Sequence, residues 1–262
     1  MELGLAGRGA LVGGASKGLG RAVAEGLAAE GCRVVLWSRG GEALEAAAAE
    51  IRAAHGAEVH TVGADALDPD AAPTVAAAAT DALGAVDVLV LNAGGPPAAD
   101  PAATTPDDWR EAFQLLAITP IALATALLPS MRDRRWGRII AVMSSSVRQP
   151  IPNLVYSNAG RSALAAWMKT TSLAVARDGV TINGVLPGRF LTDRTVELEK
   201  VAAEGQGRAP EEIRRGREAE IAMGRYGLPE ELAALAVYLC SEPARYQTGT
   251  LTAVDGGLIS SL

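Results

Sequence analysis

Cysteine and histidine are scarce in this chain, and their scarcity excludes several kinds of chemistry. Of 262 residues, two are cysteine (Cys32 and Cys240) and two are histidine (His55 and His60). The cysteines are far apart, with no C-x-x-C spacing and no histidine beside them, so no metal site is expected and both read as buried structural thiols. Both histidines fall around the start of one expected strand, which argues against a His-based catalytic triad. Positive charge is also short, with 24 Lys and Arg against 30 Asp and Glu and a net charge of −6. Without a clustered basic face, no nucleic-acid partner is expected. The opening M-E-L-G-L-A-G-R lacks the charged start and apolar run of a signal peptide, so the expected setting is reducing and cytoplasmic.

Apolar residues are plentiful, at 49%. A chain of this length and composition can bury a large core, and one domain spanning 1–262 is expected. The run Ala112–Met131 carries no charge over twenty positions, which is long enough to span a bilayer. Pro120 and Pro129 interrupt it, and Gln114, Thr119 and Thr125 dilute it. A core helix buried on both sides is therefore expected, with no membrane role.

The most informative stretch is Gly9–Ala24, G-A-L-V-G-G-A-S-K-G-L-G-R-A-V-A. An apolar run leads into glycines at 13, 14, 18 and 20 and then into a helical pattern, which reads as strand, tight turn and helix. Glycine permits positive φ and close backbone approach, while the free N–H groups and dipole of the helix N-terminus favour an anion such as a diphosphate. Taken alone, the glycines need only turn the chain. The remainder of the sequence repeats the unit. Strands are expected at Arg33–Trp37, Glu58–Val62, Val86–Leu91, Arg138–Met143 and Val180–Leu186. Helices are expected at Glu42–Arg52, Asp70–Leu83, Trp109–Arg134 and Leu154–Arg177. Such a series builds an α/β, doubly wound parallel sheet of the Rossmann type, with about seven strands and helices on both faces.

Ligands of such sheets lie at the strands' carboxyl ends, and polar or glycine-rich punctuation follows every expected strand: the glycine turn, Ser38-Arg39, Asp65, Asn92-Ala93-Gly94, Ser144 and Pro187-Gly188. The segment 190–226 is charged and interrupted by glycine and proline, and reads as a mobile substrate lid beside the crevice.

These residues resemble the short-chain dehydrogenase/reductase family, especially its β-ketoacyl-carrier-protein-reductase type. The likeness rests on G-G-A-S-K-G-L-G at the turn, L-N-A-G at 91–94, S-S-S at 144–146, L-P-G-R-F-L-T at 186–192 and V-D-G-G at 254–257. It implies that Gly14, Ser16, Lys17, Gly18, Leu19 and Gly20 cradle a nicotinamide dinucleotide. Asp65 and Ala66 would meet the adenine, Asn92, Ala93 and Gly94 would border its ribose, and Pro187, Gly188 and Thr192 would meet the nicotinamide end. An acidic residue about twenty positions past the turn holds a ribose 2′-hydroxyl, whereas a cation suits a 2′-phosphate. That place holds Ser38 and Arg39, and with Lys17 the pattern resembles NADP(H)-preferring members. Read alone, both cations are also ordinary surface residues.

The catalytic positions depart from the family pattern of Asn, Ser, and Tyr four residues before Lys. Ser144 is present. Leu116 stands at the Asn position, Arg161 at the Lys position, and Ser157 four residues before it, with Tyr156 one residue out of register. Residues i and i+5 on a helix are turned apart by about 140°. Two readings follow. A late helix start or a π-bulge near 158–160 swings the Tyr156 phenol into the crevice, or Ser157 takes the proton-donor position, where its hydroxyl is a poorer acid than a phenol. Arg161 keeps the positive charge that would hold the nicotinamide ribose, but not the ability to shuttle a proton as lysine does. Pro120 deprives the Leu116 carbonyl of its usual donor; that carbonyl then either holds a water near the site or simply sits at a kink that shapes an interface.

Two functions remain open at this stage. One is an NADP(H)-dependent reductase or dehydrogenase acting on a carbonyl or alcohol. The other is a dinucleotide-binding protein that has left hydride transfer. Arg148, Arg189 and Arg194 follow strands near the crevice and suit either an acidic or phosphopantetheine-linked substrate or plain solvation. The resemblance also implies a homodimer or homotetramer.

Overall fold

Short apolar runs such as V-L-V-L, with no polar alternation, suit strands covered on both faces. The computed structural model describes residues 2–261, and its strands and helices alternate along the chain. In order they are β1 (Gly9–Gly13), α1 (Gly18–Ala29), β2 (Arg33–Ser38), α2 (Glu42–His55), β3 (Val59–Gly63), α3 (Ala71–Leu83) and β4 (Val88–Leu91). Next come α4 (Pro106–Phe113), a π-helical turn (Gln114–Ile118), α5 (Thr119–Asp133), β5 (Gly137–Val142), α6 (Val155–Val175) and β6 (Val180–Pro187). The chain ends with α7 (Asp193–Gln206), α8 (Pro210–Glu218), α9 (Pro229–Cys240) and β7 (Leu251–Val254).

All seven strands are parallel, in the order β3-β2-β1-β4-β5-β6-β7. Alternate residues of each strand feed two separate cores. Ala10, Val12, Val34, Leu36, Val88 and Val90 pack with α1, α2 and α9. Leu11, Val35, Trp37, Leu89 and Leu91 pack with α3, α5 and α6. The strand order reverses between β1 and β4, so the carboxyl ends of these two strands border the crevice that such a sheet offers to a ligand.

Element boundaries differ from the expected ones by one to three residues, and two differences are larger. The expected single helix over Trp109–Arg134 begins at Pro106 and carries the π turn at Gln114–Ile118. Pro120, with no N–H, stands two residues after that turn and removes the i+4 donor from the Leu116 carbonyl. The stretch Pro106–Asp133 is long and apolar enough to cross a membrane, but half of its apolar window is buried in the protein. Leu123, Ala124, Leu127, Leu128 and Met131 belong to the core. The segment 190–226 folds as the helices α7 and α8, joined by the buried Glu199 accepting from Arg214 at 2.8 and 3.0 Å.

The thiols of Cys32 and Cys240 are free and buried. Burial, with the Asp87 carboxylate adding to it, pushes Cys32 up to about 12, and burial pushes Cys240 up as well. Neither is a nucleophile at neutral pH.

At the opposite end of the sheet, the buried Asp87 pins the start of β1 to the end of α5. Its carboxylate accepts from the Gly9 N–H at 3.0 Å and from Arg134 at 3.3 Å, with Arg8 at 3.8 Å. Replacing Asp87 by Ala leaves a buried N–H unpartnered and two guanidinium groups without their acid. The substitution should cost about 2–3 kcal/mol in urea unfolding, with turnover per folded molecule unchanged.

Candidate active site

The glycine turn is held by one side chain from across the crevice. Asn92, immediately after β4, donates through Nδ2 to the carbonyls of Gly13 at 3.1 Å and Gly14 at 3.5 Å. Nothing larger than glycine fits beneath it. A Cβ on Gly14 would lie 2.6 Å from Asn92 Nδ2, and one on Gly20 would lie 2.4 Å from the Gly14 carbonyl and 2.5 Å from Nδ2. Gly14 and Gly18 have φ of +58° and +61°, values that L side chains rarely adopt. Lys17, the N-cap of α1, offers no side-chain acceptor to the first turn. The helix therefore presents free N–H groups and its positive dipole end at a cradle of backbone, which suits a diphosphate.

The other expected cofactor residues line the same rim. Ser38 closes β2; its hydroxyl accepts from the Gly40 N–H at 3.3 Å and its carbonyl from Ala64 at 2.9 Å. Beside it Arg39 is exposed, as is Lys17 in the turn. Ser16 and Leu19 flank Lys17 and Gly18, half-buried, with Leu19 packed on the α1 core. Asp65 accepts from the Leu67 N–H at 3.0 Å, and the Ala66 carbonyl accepts from Thr119 at 2.7 Å, which ties this loop to the start of α5. Gly94 is open, with nothing within 4 Å of a Cβ placed on it. Pro187 ends β6, and Gly188 donates to the Val254 carbonyl at 3.0 Å, packed too tightly on Asp255 for a side chain. Thr192 caps α7 by accepting from the Thr195 N–H at 3.3 Å, and its methyl lies 3.6 Å from where a Cβ on Gly18 would stand.

Of the four catalytic candidates, Ser157 and Arg161 are bonded to each other, Ser144 follows the strand end that Arg161 reaches, and Tyr156 bonds elsewhere. α6 is a regular helix from Val155, and its expected bulge near 158–160 is absent; the π turn lies at Gln114–Ile118 in the facing helix. Tyr156 therefore keeps its orientation away from Arg161. Its hydroxyl donates to Asp108 Oδ2 at 3.1 Å, and its ring meets Trp109 edge-on with centroids 4.8 Å apart. Of the two readings, the structure has no bulge that would swing the phenol, and a regular helix carries i and i+5 to different sides, so Tyr156 bonds to Asp108 and not to Arg161. Burial, and then the Asp108 carboxylate, raises this phenol above its ordinary value, while hydrogen bonds from Thr105 and Tyr156 hold Asp108 below the usual carboxylate range.

Ser157 and Arg161, four residues apart, do share a face. Arg161 Nε donates to Ser157 Oγ at 3.2 Å, Nη1 to the Val142 carbonyl at 2.9 Å, and Nη2 to the Ala93 carbonyl at 3.5 Å. The guanidinium thus spans the ends of β4 and β5. Burial, with the nearby Arg194 charge adding to it, pulls it down to about 10. Ser144 follows β5, and its Oγ accepts from the Ser146 N–H at 3.1 Å. Both serine oxygens already receive a hydrogen bond, so each O–H is left to donate elsewhere. Leu116 is buried on the π turn, directly against α6: a Cβ on Gly160 would lie 2.9 Å from its own. An apolar contact stands where the family pattern has an amide.

Asp108 was passed over in the sequence. The T-P-D-D signal of a capping box is present at 105–108, and Asp108 does close that box with Thr105, but nothing in the sequence shows that Tyr156 reaches it from 48 residues away. Among the crevice arginines, Arg148 donates to the Leu251 carbonyl and Arg189 pairs with Glu220, whereas Arg194 reaches the Gly95 and Pro96 carbonyls at 3.0 and 3.4 Å.

With this geometry in place, comparison with known proteins assigns the class. Residues 14–259 match the family model described as Enoyl-(Acyl carrier protein) reductase, and the chain belongs to this family of short-chain dehydrogenases/reductases. It is 31% identical to 3-oxoacyl-[acyl-carrier-protein] reductase FabG of Aquifex aeolicus, over 98% of this chain and 100% of that protein. It is 36% identical to L-rhamnose 1-dehydrogenase (NAD(P)(+)) of Azotobacter vinelandii, over 96% of each. L-sorbose reductase of Gluconobacter frateurii, solved with NADPH and L-sorbose, superposes with a TM-score of 0.96 at 32% identity over the whole of both chains. The relatives are oxidoreductases, and the expected family and fold are borne out.

The Tyr156 hydroxyl ties the start of α6 to the start of α4. Tyr156→Phe should lower the melting temperature modestly and leave the pH profile of turnover unchanged; a turnover collapse at unchanged stability would return this phenol to the catalytic group.

Proposed function

We propose that this chain is an NADP(H)-dependent oxidoreductase that moves a hydride between nicotinamide and a carbonyl or alcohol carbon, with Ser144, Ser157 and Arg161 serving the oxygen. The observation that carries this reading is the Arg161 to Ser157 bond beside the end of β5. The glycine turn, Asn92 and the α1 N-terminus fit the diphosphate, Arg39 and Lys17 suit a 2′-phosphate, and Thr192 with Pro187 and Gly188 suits the nicotinamide end. Structures such as the Gluconobacter frateurii reductase, solved with NADPH, support the same cofactor here.

When bound, the nicotinamide supplies or accepts the hydride. The protein's own residues act on the oxygen. In the reductive direction the carbonyl π pair moves onto oxygen as the carbon gains the hydride, and the O–H groups of Ser144 and Ser157 donate to that growing negative charge. Arg161 stabilises charge on Ser157 as the proton passes from its hydroxyl to the product oxygen, and solvent water restores the serine proton. The arginine itself stays charged throughout. A serine is a weaker acid than the phenol of the family pattern, so more of the rate rests on oxyanion stabilisation than on proton transfer. The helices α7 and α8 lie next to this rim and act as the lid, and α5 and α6 offer the faces for a homodimer or homotetramer.

One observation favours a second reading, a dinucleotide-binding protein without hydride transfer: Leu116, Ser157 and Arg161 depart from the family pattern, and only Ser144 keeps it. The two readings separate on mixing the protein with NADPH and a panel of carbonyl compounds. Ser144→Ala and Ser157→Ala should each lower kcat by about 10²–10³ with little change in NADPH affinity. Turnover should also fall as pH rises through about 10, where Arg161 gives up its proton. Tight NADPH binding with no oxidation by any carbonyl compound would favour the second reading.

The cofactor preference is tested separately. Arg39→Ala should weaken NADPH binding about tenfold or more and leave NADH unaffected, because only the 2′-phosphate meets the guanidinium. Gly20→Ala should weaken both nucleotides equally, since its Cβ collides with the turn itself.

A further inference from the structure

Carboxylates are rarely buried unless a partner holds them. Glu199 on α7 is such a group, only 1% exposed. Its partner comes from α8: Arg214 Nε and Nη2 both donate to Glu199 Oε2, at 3.0 and 2.8 Å. Burial acts to raise this carboxyl, but Arg214, followed by Tyr226, outweighs it and holds the group below the usual carboxylate range. Glu199 is therefore charged at neutral pH. Its other oxygen, Oε1, has no aligned hydrogen bond among the described residues, and neither has the buried hydroxyl of Tyr226. The two groups still sense each other, since burial, and then the Glu199 carboxylate, push that phenol up to about 12.

Tyr226 leads straight to the rim of the crevice. The next residue, Gly227, donates to the Arg189 carbonyl at 2.9 Å, and its own carbonyl accepts from the Leu191 N–H at 2.9 Å. A Cβ on Gly227 would lie 2.7 Å from the buried Phe190 ring, so no side chain fits between the two segments. From α7, Thr195 Oγ1 donates to the Phe190 carbonyl at 2.8 Å. Residues 189–191 are thus clamped between α7 and residues 226–227. They join Pro187 and Gly188 to Thr192, the residues that suit the nicotinamide end. One buried carboxylate meets every part of the clamp: α7, which carries it, α8 through Arg214, and Tyr226.

We infer that Glu199 is a positioning residue: through Arg214 and Tyr226 it locks α7, α8 and residues 226–227 into one body, and that body sets Thr192 and the 189–191 segment against the nicotinamide end of the cofactor. This rests on the cofactor reading above for the identity of the rim. Glu199 acts by removing freedom from these groups rather than on the reacting atoms. Closure of the lid brings the Tyr226 O–H into line as donor to Glu199 Oε1, so the closed lid is the state in which both buried groups are satisfied.

Two measurements test this, one of them without any nucleotide. In hydrogen exchange on the nucleotide-free protein, Glu199→Gln, which keeps the shape and removes the charge, should speed exchange of the Leu191 and Gly227 amides at least about tenfold, while amides of β1, β4 and β5 stay protected. Tyr226→Phe, which deletes only the hydroxyl, should speed the same amides to a smaller extent. Glu220→Gln, which breaks the exposed pair with Arg189 in the same region, should leave them unchanged. In calorimetry, Glu199→Gln should weaken NADPH about tenfold and leave adenosine 2′,5′-bisphosphate, which carries the 2′-phosphate but no nicotinamide, bound as before. Should Glu199→Gln fail to fold, Tyr226→Phe carries both measurements. Unchanged exchange at Leu191 and Gly227, unchanged NADPH affinity, or equal weakening of both nucleotides overturns the inference, the last by making Glu199 a general support of the fold. Failure of the unaltered protein to bind NADPH speaks against the cofactor reading instead, and the exchange comparison then still decides whether Glu199 braces the segment.

Discussion

The architecture turns on how closely the end of β1 can approach the end of β4. These strands lie side by side at the point where the strand order reverses, and Asn92 reaches across to hold the Gly13 and Gly14 carbonyls. Side chains are excluded there by distances of 2.4 to 2.7 Å. With that contact made, the N–H groups of α1 are aimed along the crevice and the exits of β2, β3, β5 and β6 fall into line around it. An extra methyl at Gly14 or Gly20 would separate the two strands or bend the turn, and every residue positioned from either half would shift with it.

The second determinant is electrostatic. Arg161 carries a charge into a place where solvent scarcely reaches, supported only by neutral acceptors. A lysine there would concentrate its charge on one rotatable ammonium, whereas the planar guanidinium ties Ser157, Val142 and Ala93 together through separate nitrogens. The facing helix is adapted in turn: the π turn and Pro120 bring Leu116 against Gly160, so an apolar contact fixes the distance between the helices. Leu116 thus packs against the helix that carries the bonded pair Ser157 and Arg161.

Much of this was legible in the chain itself. The alternation of apolar strands and amphipathic helices identifies the doubly wound sheet, since a parallel strand buried on both faces has no polar alternation and each crossover needs a helix. The cofactor rim was legible for a related reason: glycine, asparagine and short polar residues after every strand are local features, and local geometry is what a sequence records most directly. The departure of the catalytic positions could be read as well, by counting from Pro187 and Asn92.

What counting could not decide was where the irregular helical turn falls, and therefore which hydroxyl faces the cation. The π turn is favoured locally by Pro120 and sits where Leu116 packs close to Gly160, a contact between segments more than forty residues apart. Likewise the Tyr156 phenol finds Asp108, and Arg194 finds the loop after β4, only once the sheet has brought their elements together. By itself the sequence determined the fold and the glycine and polar residues that follow the strands, because these follow from periodicity and turn chemistry, whereas the altered positions are legible only through the family resemblance. Only the tertiary structure decided that Ser157 rather than Tyr156 stands with Arg161, because such pairings depend on packing distances that no local pattern encodes.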